Sequence, residues 1–207
     1  MTTARNHGHT DESAQGMTAS AAAAGLEALI SRASRAGKGL PPVERWNPPF
    51  CGDLDMEIRR DGTWFYLGTP IGRPALVQLF STVLRRDDDG RTYLVTPVEK
   101  VDVAVDDAPF LAVEMQVENR GREQQLIFRT NVDDVVTCGE NHPLRFVSEA
   151  ADGGLKPYLL VRGRLEALVT RSLYYDLVEL AGDGSGDHAG HLGIWSGGVF
   201  HPLKAAT

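Results

Sequence analysis

The stretch Asp53-Leu54-Asp55-Met56-Glu57-Ile58-Arg59-Arg60-Asp61-Gly62-Thr63-Trp64-Phe65-Tyr66 decides the fold class. Leu54, Met56 and Ile58 alternate with Asp55, Glu57 and Arg59, the period of a strand with one face on a core. Asp61-Gly62 supplies the turn, because glycine accepts the positive φ that a tight hairpin demands. Thr63 to Tyr66 is the returning strand, rich in aromatic residues that suit a pleated, half-buried surface. Downstream, Pro74 marks a helix start, since its missing N–H is not needed in the first turn. Ala75, Leu76, Leu79, Phe80, Val83 and Leu84 form the helix's apolar face. The Asp87-Asp88-Asp89-Gly90 run ends it, and Thr92 to Val95 is a strand leading to Pro97.

A meander follows. Val101, Val103 and Val105 alternate; Ala108-Pro109 turns; Leu111, Val113, Met115 and Val117 alternate again; Asn119-Arg120-Gly121 turns into a strand at 125–129. After Gly154 the opening order returns. Tyr158 to Val161 and Leu165, Ala167 and Val169 flank Arg162-Gly163. Thr170 then caps a helix with Leu173, Tyr174, Leu177, Val178 and Leu180 inward. Gly182 to Gly190 is a second Gly/Asp loop. Ile194-Trp195 and Val199-Phe200 close the chain before Pro202. Hairpin, helix, Asp/Gly loop, strand and proline thus occur twice, with Arg73 matching Arg171 and Pro97 matching Pro202. The expected fold is α+β. Two related lobes each carry a small antiparallel sheet or partial barrel packed with one helix, after an N-terminal helix. The boundaries are a disordered tail at 1–17, a helix at 18–40, a first lobe at 41–105 and a second at 106–207.

Composition bounds the function. The chain has 207 residues, 42% hydrophobic and 24% charged, enough to bury roughly 70% of its unfolded surface without a disulfide or metal. A net charge of −7 excludes sequence-independent duplex binding, which needs a field of Lys and Arg. One nucleotide needs only a local cluster of donors. Two cysteines in a chain this long fit a reducing compartment. No apolar run reaches a membrane span, and residues 1–15 lack a signal-peptide pattern. The expectation is a soluble, cytoplasmic protein with no membrane partner.

Several strings resemble a bacterial family known only as domain of unknown function 1285. They are Pro42-Val43-Glu44-Arg45-Trp46-Asn47-Pro48-Pro49-Phe50-Cys51-Gly52, Asp61 to Tyr66, Phe128-Arg129-Thr130-Asn131-Val132-Asp133, Lys156-Pro157-Tyr158 and Gly193-Ile194-Trp195-Ser196-Gly197-Gly198. The resemblance implies a domain duplication whose C-terminal lobe is superficially like a pleckstrin-homology barrel. It further implies a nucleotide-like ligand in the cleft between lobes and a role in signal transduction.

The residues exclude more chemistry than they assign. His188, His191 and His201, like Cys138 with His142, lack zinc-motif spacing. Asp87 and Asp89 fit two EF-hand positions, but Arg85 and Thr96 stand where carboxylates are required. Ser196 lacks the glycine two residues before it that a nucleophile elbow needs, and no phosphate-binding glycine loop occurs. No cofactor is expected. Arg73 and Arg171 at helix starts, where backbone N–H groups favour anions, are candidate ligand residues; solvated or salt-bridged arginines are the alternative. Arg129, Asn131 and Asp133 offer a phosphate fork with base- or ribose-reading groups, or else a loop bonded to its own backbone. Trp64, Tyr174 and Trp195 offer ring faces for stacking, unless they are core. The expected function is non-enzymatic binding of a nucleotide-like molecule, with a protein partner reading the outcome. The alternatives are a hydrolase of phosphorylated small molecules using Asp133, Asp134 or Glu99, and an interaction module with no small ligand.

Overall fold

The computed structural model describes Ile30, Ser31 and residues 40–148 and 154–203. The tail at 1–17 and all of the helix at 18–40 except Ile30, Ser31 and Leu40 lie outside the described residues. Ile30 and Ser31 are helical, and Ile30 packs on the core.

The first lobe contains β1 (Phe50–Ile58), β2 (Trp64–Tyr66), β3 (Thr69–Pro70), α1 (Pro74–Thr82), β4 (Leu84–Arg86), β5 (Thr92–Val95) and β6 (Lys100–Val105). Its sheet runs β3-β2-β1-β6-β5-β4. Met56 and Ile58 are buried and Asp55 is exposed, as the alternation requires. The Asp61-Gly62 turn forms as read. Thr63 donates its N–H to Asp61 Oδ1 at 2.9 Å, and Gly62 has φ +80°. A Cβ at Gly62 would meet Asn131 Nδ2 of the second lobe at 2.8 Å, so the turn also needs glycine for the close approach.

The second lobe contains β7 (Phe110–Glu118), β8 (Gln125–Thr130), β9 (Val135–Thr137), β10 (Leu144–Ser148), β11 (Leu155–Arg162) and β12 (Leu165–Val169). Its sheet runs β10-β11-β12-β7-β8-β9. After β12 come α2 (Arg171–Glu179) and a three-stranded sheet of β13 (Gly182–Asp183), β14 (Leu192–Ser196) and β15 (Val199–Pro202).

The molecule is α+β, with two sheet-rich lobes and a helix in each. The lobes are related, in a register other than the one suggested by the helices. Read outward from its centre, each six-stranded sheet has one plan. The first and sixth strands pair in parallel, β1 with β6 and β7 with β12, and the others add antiparallel on either side. On this plan β1 matches β7, and α1 falls where the second lobe has only the connection from β9 to β10. Helix α2 and β13–β15 are an addition after β12. The order hairpin, helix, strand does recur along the chain. However, the strands after α1 rejoin their hairpin's sheet, whereas those after α2 form a separate one. The central parallel pairs also distinguish both sheets from purely antiparallel ones, because parallel neighbours need a long crossover. In each lobe the four intervening strands supply it.

Helix α1 ends at Thr82. Val83 and Leu84, expected on its apolar face, instead cap it and open β4, both fully buried. The aspartate run therefore belongs to the β4–β5 hairpin and does not terminate the helix. Asp87 binds Arg85 and Lys100, and Asp89 accepts the Tyr93 hydroxyl. Thr170 stands at the N-cap of α2 without a side-chain capping bond, and Val178 is exposed. A single core crosses both lobes, from Ile58, Phe80 and Leu94 to Phe110, Phe128 and Ile194. Among the described residues, no helix is long and apolar enough to cross a membrane.

Candidate functional site

The chain leaves β1 at Arg59-Arg60 and must turn back at Asp61-Gly62. This end of the hairpin is tied to the link between the lobes. Asp106 Oδ2 accepts the Arg60 backbone N–H at 3.3 Å, and the Asp106 N–H donates to the Ile58 carbonyl at 3.0 Å. The Arg60 side chain thereby reaches a cavity of about 430 Å³ whose other walls belong to the second lobe. Lys156 comes from β11, Leu168 and Val169 from the end of β12, and Arg171, Tyr174 and Tyr175 from the first turns of α2. Positions 171, 174 and 175 share one helical face because side chains three and four residues apart are neighbours. Arg171 Nε donates to the Tyr175 hydroxyl at 3.2 Å, and the two tyrosine rings meet edge-on, 5.8 Å between centroids. Among the described residues lining the cavity, three are cationic and none is acidic.

Behind the cations lies Asp107, whose side chain is only 9% exposed. Its carboxylate accepts the Tyr158 hydroxyl at 2.6 Å and Lys156 Nζ at 3.1 Å, and lies 3.6 Å from Arg60 Nε. Burial, reinforced by Asp107, pushes the Tyr158 phenol up to about 12. A charged carboxylate at this position keeps the phenol as a donor.

The residues expected from sequence are dispersed. Arg171 and Tyr174 line this cavity. Arg73 stands exposed at the N-cap of α1; its carbonyl accepts the Leu76 N–H at 3.0 Å, and its side chain makes no hydrogen bond or ion pair among the described residues. Arg129 spends its fork on exposed carboxylates of its own lobe. Nε and Nη2 donate to Glu114 at 2.8 and 2.5 Å, and Nη1 donates to Asp133 at 2.7 Å. These two carboxylates hold the guanidinium protonated, so the fork is already filled. Asn131 is a structural link, its Oδ1 accepting the Leu111 N–H at 2.9 Å. Asp133, at φ +65°, also accepts from Gln78 of α1. Trp64 is 1% exposed and therefore core, not a stacking face. Trp195 lies elsewhere, half-buried between Phe200 and the Arg122 side chain, its Nε1 donating to the Asp183 carbonyl at 3.2 Å.

The hydrolytic carboxylates do not converge. Asp134 binds Arg162, Asp133 binds Arg129, and Glu99 lies in the β5–β6 turn of the first lobe. No group of three metal-ligating side chains occurs among the described residues. His201 does meet a thiol, but with Cys138 rather than beside His188 or His191, at 3.4 Å and buried. The Leu144 N–H donates to His201 Nδ1 at 3.2 Å, which leaves the ring proton on Nε2 facing sulfur. Burial lowers the His201 pKa and pushes the Cys138 thiol up to about 12, so the pair is a neutral core contact.

Sequence reasoning passed over Arg60, Lys156, Tyr175 and Asp107. The available signals were the helical spacing of Arg171, Tyr174 and Tyr175 and the acidic pair Asp106-Asp107 at the lobe boundary. Nothing local to Arg60 or Lys156 foretells that they converge.

The N-terminal domain described as a domain of unknown function (DUF1285) matches residues 41–108, and the C-terminal domain of the same family matches residues 109–203. Among solved structures, a DUF1285 family protein from Silicibacter pomeroyi is 50% identical, with a TM-score of 0.77. The alignment covers 86% of this chain and 95% of that one. A second DUF1285 family protein, from Shewanella baltica, is 28% identical with a TM-score of 0.48, covering 62% of this chain and 92% of that one. A comparison with curated proteins finds no match. With both domains matched across the two lobes and 50% identity to a solved member over 86% of its length, the chain belongs to the DUF1285 family.

Proposed function

We propose that this chain is a ligand-binding protein that takes a nucleotide-like molecule, an anionic group joined to a flat ring, into the interlobe cavity as part of bacterial signal transduction. The observation that carries this reading is the cavity's lining. Arg60 of one lobe faces Lys156 and Arg171 of the other, with Tyr174 and Tyr175 alongside. Guanidinium groups match phosphate oxygens in planar pairs, and the cavity lies at the start of α2, where the helix dipole favours an anion. The tyrosines offer π faces, and stacking of a base on such a ring is worth about 1–3 kcal/mol. A volume of about 430 Å³ lies within the usual range for small-molecule sites. Because the cations come from both lobes, a bound anion favours the side-chain arrangement that brings them together at the lobe junction, and a partner reads that junction.

Thermal unfolding against a panel of nucleotides and cyclic nucleotides, with and without magnesium, tests the proposal. A ligand at a hundred times its Kd stabilises by about 2.7 kcal/mol, which raises Tm by roughly 5–10 °C in a chain of this size. Replacing Arg171 by Ala and Tyr174 by Leu together should abolish the shift. A shift that survives both changes places the ligand elsewhere, and no shift with any member of the panel removes the reading.

A further inference from the structure

Resting on that cavity as the ligand site, we infer that Asp107 is its internal counter-ion, and that the ligand's anionic group competes with Asp107 for Arg60 and Lys156. The link Asp106-Asp107 joins β6 to β7 and is held by both lobes. Asp106 takes the first lobe through the Arg60 N–H and the Ile58 carbonyl, and Asp107 takes the second through Lys156 and Tyr158. The contacts on Asp107 are unequal. Lys156 is hydrogen-bonded at 3.1 Å and Tyr158 at 2.6 Å, whereas Arg60 Nε stands at 3.6 Å, beyond hydrogen-bond reach, with its side chain 66% exposed. Arg60 is therefore the cation that transfers most readily to an incoming anion.

The carboxylate has little access to water, so its charge is poorly screened. An anion close enough to use Arg60, Lys156 and Arg171 lies within the field of Asp107 and is repelled by it. That repulsion doubles for a dianion. Asp107 thus does two things: it keeps the cations pointed at one place, and it lowers the affinity of whatever binds there. Ligand and lobe junction draw on the same two cations, so occupancy is felt at Asp106-Asp107 without any large movement.

The test uses the full chain and Asp107→Asn, which keeps a carbonyl oxygen for Tyr158 or Lys156 and removes the charge. Binding of inorganic phosphate and of adenosine monophosphate is measured by calorimetry at pH 8, at low and high salt. Asp107→Asn should bind phosphate on the order of tenfold more tightly than the native chain, with the advantage shrinking as salt rises. Equal or weaker binding by a folded Asp107→Asn chain overturns the inference alone. Failure of both chains to bind either probe removes the proposed site and this inference with it. Arg60→Gln, at an exposed position that folding tolerates, should weaken phosphate binding; unchanged affinity overturns the part assigned to Arg60.

Discussion

Ser196 offers the sharpest test of how the added sheet is fastened to the second lobe. Its hydroxyl is fully buried, donates to the Cys138 carbonyl at 2.8 Å and accepts the Leu126 backbone N–H at 3.0 Å. One oxygen thus completes the hydrogen bonding of two buried backbone groups, one on β8 and one just beyond the end of β9. Around it, the Gly197 N–H donates to the Gln124 carbonyl and Gln124 Nε2 donates to the Trp195 carbonyl at 2.7 Å. Ser196→Ala removes only the oxygen, and the space left is too small to admit a water with good geometry. Each orphaned buried backbone group costs about 1–3 kcal/mol. Relief of the hydroxyl's own desolvation offsets part of that, for a net loss of about 2–4 kcal/mol. At roughly 2–4 °C per kcal/mol for a chain of this length, Tm should fall by about 5–15 °C. Urea and thermal unfolding followed by circular dichroism would measure it, with Ser172→Ala on the exposed first turn of α2 as a control that stays within about 0.5 kcal/mol. A loss below about 1 kcal/mol for Ser196→Ala would refute the assignment of both backbone groups to this one hydroxyl.

Two further predictions follow from the same lobe. Burial holds the Cys138 thiol near 12 against an ordinary value of 9.0, so the unfolded chain releases that proton first and stability declines as pH rises above about 9. Burial lowers His201 below its ordinary 6.5, so the unfolded chain takes up that proton first and stability also declines as pH falls below about 6.5. Denaturation across pH 5 to 10 should therefore show both limbs, and Cys138→Ala should flatten the alkaline one; a limb unchanged by that substitution would assign it to another group. Arg129→Ala should leave ligand affinity unchanged, because its fork is filled by Glu114 and Asp133 and it does not line the cavity. The cost to stability should be small for so exposed a cluster, and a tenfold loss of nucleotide affinity would contradict this placement.

What could be read from the sequence was whatever is local. The 53–66 hairpin announces itself through period-2 alternation and Asp61-Gly62. The two helices announce themselves through Pro74, Thr170 and their apolar spacing. Strand order does not, because nothing in Val101, Val103 and Val105 says that they lie parallel to Phe50–Ile58. Local features alone therefore align the duplication on the helices, although it belongs to the six-stranded sheets. Site residues followed the same rule. Arg171 and Tyr174 are legible because helical spacing is local, whereas Arg60 and Lys156 stand 96 positions apart in the sequence and meet only through the sheets. Arg129 reads as a phosphate fork because its partner Glu114 lies across a β7–β8 register that the sequence does not disclose.

The shared core limits how the lobes can respond. Arg162 of the second lobe reaches the Ser81 carbonyl of the first at 2.7 Å and binds Asp134, while its guanidinium stacks 4.8 Å over the Phe110 ring. Gln78 of α1 donates to Asp133, and Asn131 lies against Gly62. A wide hinge opening would break these contacts together and expose apolar groups from a cluster that runs through both lobes. Its free-energy cost would exceed what one small ligand's differential affinity can supply. The response to a ligand must therefore be short-ranged, carried by side chains whose contacts are weak enough to exchange. Around the cavity, the long Arg60–Asp107 contact meets that condition, and it sits on the segment that joins the lobes. A partner would accordingly sense the ligand at the Arg60 hairpin and the Asp106-Asp107 link, not through a change in the overall disposition of the two sheets.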